Sequence, residues 1–239
     1  MNKINWLFCS SIVLALGLAL GGYFVSQTLY NAKVALNTAE VKGLAERRVK
    51  ADRTNWTLIF RVSGTKNEDI PALYKKSEEN QKTIIDLLKE NGFEDSEITT
   101  GVINYNYIEF RDESQRLVDE KYQLMGSIEV ETNKVELVSQ VRSRINKLIA
   151  EGIDIENAPP RYFFTKLNEI KPDMLKEATQ NARLAANEFA ENAGVRVGSI
   201  RSATQGGFIV LDAGEEYGDT NKIEKNVRVV TTIIFYLTD

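Results

Sequence analysis

The stretch Asn55-Trp56-Thr57-Leu58-Ile59-Phe60-Arg61-Val62 sets Trp56, Leu58, Phe60 and Val62 on alternate positions, with Asn55, Thr57, Ile59 and Arg61 between them. A period of two is that of a strand with one face on a core, and Ser63-Gly64 is read as its end. The pattern recurs at Tyr122, Leu124, Gly126, Ile128 and Val130. Upstream, Glu40 to Lys50 reads as a first strand, broken at Gly43. Between the two alternating runs, Asp69 is placed to cap a helix with Pro71 in its first turn. That helix carries Leu73, Ser77, Ile84, Leu87 and Leu88 on one side and stops at Asn91-Gly92. Ile98 to Phe110 is rich in β-branched and aromatic residues and reads as a strand, joined to the next by a long hairpin loop over Arg111 to Glu120.

Thr132 is expected to cap a second helix whose apolar positions are Val135, Val138, Val141, Ile145 and Leu148, closed by Gly152. Ile153 to Thr165 is extended, and Pro159-Pro160 within it suits an edge or a bulge. A third helix is expected from Pro172 to Ala193, with the stripe Leu175, Ala178, Ala182, Ala185, Phe189 and Ala193, and Gly194 as its stop. Val195 to Gln205 reads as a strand, Asp212 to Asn226 as an acidic loop, and Val227 to Leu237 as a central strand, apolar on both faces. The order is strand-strand-helix-strand-strand-helix, then strand-helix-strand-strand. It predicts an α+β fold with an antiparallel or mixed sheet and about three packed helices.

Two stretches resemble a known family. Val41-Lys42-Gly43-Leu44-Ala45, running on to Ala51-Asp52, is similar to the opening strand of the SIMPL-domain family, bacterial proteins of largely unassigned function. Ala45 and Ala51 stand where that family has Gly and Pro. Ala178, Ala182, Ala185, Ala186 and Ala190, followed by Gly194, Gly198 and Ile200, resemble the family's alanine-rich helix and the G-x-x-x-G-x-I after it. The resemblance covers residues 39–239. It implies an α+β fold, an extracytoplasmic place and a tendency to assemble, and no catalytic residues.

Absences exclude chemistry. The 239 residues contain no histidine and one cysteine, Cys9. Ser-His-Asp and Cys-His nucleophilic systems lack their base, and the usual zinc sites lack ligands. No disulfide can form within the soluble part. Net charge is −4, and Lys3 and Lys33 are the only charged side chains before Glu40, so the rest of the chain is more acidic still. An acidic domain does not attract phosphate backbones, and nucleic acid is not expected as a partner.

From Ile4 to Val25 the chain is uncharged and apolar. As a helix it spans about 33 Å, close to the ~30 Å hydrocarbon core of a bilayer. A cleaved signal peptide has a shorter apolar region, so residues 1–33 are read as an uncleaved signal anchor and spacer. Lys3 ahead of the segment and the acidic chain behind it orient the N-terminus to the cytoplasm and the domain, residues 39–239, to the periplasm or outer space, on the cytoplasmic (inner) membrane. Gly17 and Gly21 form a GxxxG pair, read as ordinary glycine usage in such a helix.

Four groups remain as candidate sites. Asp212, Glu215, Glu216 and Asp219 offer oxygen ligands to calcium but lack EF-hand spacing, so a solvated loop is expected. Glu109, Asp112 and Glu113 offer paired carboxylates, but sit where a hairpin end carries charge anyway. Tyr105, Tyr107, Phe110 and Tyr122 mark a partner surface if exposed and core pairs if not, and half are expected in the core. Tyr162-Phe163-Phe164 has the same two readings. The stripe at 178, 182, 185 and 189 spaces like a heptad seam, but docking on its own sheet is expected. The resulting expectation is a membrane-anchored structural or interaction protein, with no catalytic residue, cofactor or metal. Its partners are the membrane, a homo-oligomer or an envelope protein. The alternative is a ligand- or ion-binding module in envelope stress response.

Overall fold

A computed structural model describes residues 3–34, 37–65 and 70–238, with side chains over 11–30, 37–65 and 70–238. The expected cap at Asp69 and the side chain of Cys9 lie outside these. The chain runs α1 (Lys3–Val34), β1 (Thr38–Lys50), β2 (Arg53–Thr65), α2 (Ile70–Glu90), β3 (Ile98–Thr100), β4 (Asn104–Arg111), β5 (Leu117–Thr132), α3 (Val135–Ala150), β6 (Asp154–Asn157), β7 (Arg161–Phe163), α4 (Leu167–Ala193), β8 (Arg196–Gln205), β9 (Ile209–Asp212) and β10 (Glu224–Thr238). The expected α+β class and antiparallel sheets are present. Two compact units are interleaved along the chain. One comprises residues 1–45, 172–208 and 228–239, the other 46–171 and 209–227.

The larger unit is built on the opening motif. Trp56, Leu58, Phe60 and Val62 of β2 are buried. Antiparallel β5 lies beside β2, with Phe60 opposite Gly126. A Cβ on Gly126 would stand 2.3 Å from the Phe60 ring, so the glycine leaves room for that ring. The strand order is β3-β5-β2-β6, with β4 also on β5 and β7 also on β2. The even-numbered face of β2 packs on Ile84 and Leu88 of α2 and on Val138, Val141, Ile145 and Leu148 of α3. Their three- and four-residue spacing keeps these side chains on one helix face.

Several boundaries differ from expectation. Ile98 to Phe110 is two strands, because Thr100 faces Ile128 while Asn104 faces Met125. That is one extra residue on the β3–β4 side, a bulge. The hairpin loop is shorter than Arg111 to Glu120, since pairing continues to Arg111 and Leu117. Asp112 folds the loop by accepting the Ser114 and Arg116 N–H groups at 2.8 Å. Thr132 does not cap α3. The cap position is Lys134, and the Thr132 hydroxyl accepts the Lys134 N–H while donating to Glu97.

In the smaller unit β10 lies between β1 and β8, the central place expected of it. Gly43 does not break β1, which runs through it. α4 begins at Leu167, ahead of Pro172, and passes through the proline at the loss of one backbone hydrogen bond. Its buried line is Met174, Ala178, Ala182, Ala186 and Ala190. Ala178 and Ala182 are on it as expected, but Ala185 and Phe189 are exposed. A strict four-residue line is a ridge inclined to the helix axis, and the sheet takes that ridge. Ala182 and Ala186 pack on Ile233 and Phe235, flanked by Val41 and Val197. The approach is closest at Gly43, where a Cβ would stand 1.8 Å from the Ala178 carbonyl oxygen and 2.5 Å from the Ala182 nitrogen. The alanine stripe is therefore the helix's own docking surface on β1 and β10.

α1 contains one stretch, Ser11–Tyr30, long and apolar enough to cross a membrane, and its side chains are exposed. Gly17 and Gly21 lie four residues apart with open space beside both.

Candidate functional site

The β4–β5 hairpin carries the most distinctive surface. Residues opposite one another on paired strands share a face. Tyr105 faces Leu124 and Tyr107 faces Tyr122, so these side chains continue the core face of the sheet. The core thins out there. Val62, Leu73 and Leu124 form a small cluster that ends on Ile103 and Tyr122. Beyond it Tyr105 and Tyr107 are 47% and 44% exposed. Their rings gather on Tyr122, with centroids at 6.1 Å and 5.4 Å. Phe110 points to the opposite face, beside Asp119, and is 48% exposed. The expectation that half of these four are core residues is not met. Tyr122 is partly buried, Tyr105 and Tyr107 join it in an exposed aromatic ribbon on one face of the sheet's edge, and Phe110 is exposed on the other face.

Tyr107 donates a 2.6 Å hydrogen bond to Glu120. That bond, then loss of water around the ring and the Glu120 charge, push its hydroxyl up to about 12, since all three favour the protonated phenol. We expect Glu120→Gln to bring this titration back toward 10. Spectrophotometric titration of Glu120→Gln against Tyr107→Phe checks it, and an unchanged high-pH tyrosine would refute the pairing.

The remaining candidates resolve differently. Asp212 and Lys225 are buried, at 1% and 0% exposure, and form an ion pair at 2.5 Å. Asp212 also accepts the Asn221 and Lys222 N–H groups, at 2.8 Å and 3.1 Å, and Lys225 donates to the Asp219 carbonyl at 2.8 Å. Burial alone would raise the Asp212 carboxyl. Lys225 and the two backbone donors outweigh it and leave the carboxyl below its ordinary value. The acidic stretch is thus tied down by an internal charge pair. Glu215 pairs with Lys222 at 2.7 Å, and no three acidic residues converge on a metal-sized space among the described residues.

Glu109 is held by Arg111 at 2.6 Å, Asp112 is spent on its turn, and Glu113 lies exposed in the same turn. Tyr162 is buried against Ala51, Val135 and Ile223, while Phe163 lies under the Arg161 guanidinium at 5.3 Å. A polar knot joins the two helices of the larger unit. Glu97 accepts Lys134 at 2.9 Å and the Glu94 N–H at 2.8 Å, and Lys134 also reaches Glu94 and the Gly92 carbonyl. The alternating pattern could not have located this knot or the Asp212–Lys225 pair, because both join residues from separate elements.

Residues 39–229 match the model of a family described as SIMPL, protein of unknown function (DUF541). No curated protein matches the chain.

Proposed function

The chain belongs to the SIMPL family, and on that premise we propose that it is a membrane-tethered interaction protein that assembles with itself or with another envelope protein. The tether is the apolar Ser11–Tyr30 stretch. We place the domain on the outer side of the cytoplasmic membrane, the side that the family resemblance implies. The observation that carries the interaction role is the aromatic ribbon. Large aromatic side chains gathered on an exposed edge are the usual composition of a protein contact. We assign the chain no reaction, since it has no histidine and its one thiol is Cys9.

The test is light scattering of the full chain in detergent micelles, with chemical cross-linking in the native membrane. Multimers, or a specific cross-linked envelope protein, are expected. A strict monomer that cross-links to nothing would refute the reading. The alternative, a ligand- or ion-binding module, keeps the exposed aromatic strands as its motive, while the acidic loop commits Asp212 to its buried pair with Lys225.

A further inference from the structure

The two edges of the larger sheet are of opposite character. One edge is β6 and β7, four and three residues long. Ala158-Pro159-Pro160 separates them, and the register against β2 slips by one residue between them. Short strands, proline and a bulge are how an edge is protected against pairing with another chain. The other edge is β4, eight residues of sequence Asn-Tyr-Asn-Tyr-Ile-Glu-Phe-Arg. It contains no proline and no lysine, its register is unbroken from Asn104 to Phe110, and among the described residues it pairs with β5 alone.

We propose that β4 is the seam between two copies of this chain, pairing antiparallel with β4 of the second copy about a two-fold axis at Tyr107. This rests on the self-assembly reading above. A two-fold contact must be self-complementary. An axis through the sheet brings like face to like face, so one residue sits opposite itself. With Tyr107 there, Tyr105 faces Glu109 of the second copy, Asn106 faces Ile108, and Asn104 faces Phe110. No like charges are opposed, and Arg111 lies diagonal to the second Tyr105 ring. The Tyr105, Tyr107 and Tyr122 cluster then meets its own copy and forms one aromatic ladder. Centring on Ile108 instead would set the two Glu109 side chains diagonal to each other, which is unfavourable. A second copy is also the partner that the tether supplies, because anchoring on one membrane raises the local concentration of its own kind.

The experiment uses the full chain with Cys9→Ser, in membranes, carrying one cysteine at a time. Directly opposed residues come close enough for a disulfide. After mild oxidation, Tyr107→Cys should give a covalent dimer on the order of tenfold more abundant than Ile108→Cys or the exposed α4 site Leu184→Cys. Equal yields at all three, or none at Tyr107→Cys, would overturn the seam. In parallel, Tyr107→Lys opposes two ammonium groups and should shift the light-scattering mass to the monomer. Co-expression with Tyr107→Glu should restore the dimer, which misfolding would not allow. Wild-type multimers that survive Tyr107→Lys unchanged would overturn the seam while leaving self-assembly standing. A monomeric wild type would overturn both.

Discussion

Gly43→Ala should destabilise the smaller unit by about 3 kcal/mol, the upper range for an overpacked site. The added Cβ would stand 1.8 Å from the Ala178 oxygen, 2.5 Å from the Ala182 nitrogen and 2.8 Å from the Ala182 Cβ. Two of these three atoms are backbone, so no rotamer change relieves the clash. Either β1 moves away from its neighbour β10 or α4 lifts off the sheet. Lifting α4 uncovers Ala182, Ala186, Ile233 and Phe235, which are fully buried. Replacing Ala178 by glycine would not rescue the variant, because the obstacle is its carbonyl. The measurement is urea unfolding of the full chain in micelles, followed by circular dichroism, with Leu44→Ala on the same strand's exposed face as control. A loss for Gly43→Ala no greater than the control's would refute the close approach.

Asp212→Ala should cost about 3–5 kcal/mol, the usual penalty for leaving one charge of a buried pair uncompensated. Lys225 would then sit fully buried with only the Asp219 carbonyl as partner. Lys225→Met should cost less, because Asp212 keeps the N–H groups of Asn221 and Lys222. The pair also sets a pH dependence. The folded carboxyl titrates below its ordinary value of 3.8. The unfolded chain therefore binds the proton first as pH falls, and the stability from the pair is present above 3.8 and lost through the depressed value. Urea midpoints of wild type and Asp212→Asn should differ at neutral pH and converge in acid. A constant offset down to the lowest measurable pH would show that Asp212 does not carry the effect.

Periodicity made the larger unit legible. Trp56 to Val62 and Val135 to Leu148 each have one dominant apolar phase, Ile59 and Leu137 aside, and both phases are the buried ones. α4 is different. Alanine occurs at Ala178, Ala182, Ala186 and Ala190, but also at Ala185 and Ala193. A side chain that small carries too little hydrophobic signal to choose a face. What chooses is Gly43, well over a hundred residues away, by letting the helix approach at Ala178 and Ala182. The exposure of Tyr105 and Tyr107 was hidden for a related reason. Their alternation is that of a core strand, and β2 still runs beside them, with Val62 and Gly64 in their rows; the cover is lost because the core on this face shrinks there to the small cluster of Val62, Leu73 and Leu124. β9 escaped notice because four residues beside an acidic loop give no period to read.

The interleaving of the two units bears on the order in which the protein can form. All six strands of the larger sheet lie between Arg53 and Phe163, so this unit's sheet can close while the chain is still being made. The smaller unit cannot close then, since β1 and β8 both depend on β10, the last strand to emerge. Contacts between the two ends of a chain are the slow ones. A nascent chain would carry the closed six-stranded sheet and an unpaired β1 until β10 arrives, and the Asp212–Lys225 pair of the larger unit would also wait for β10. Synthesis halted before Glu224 would leave that first strand without its neighbour.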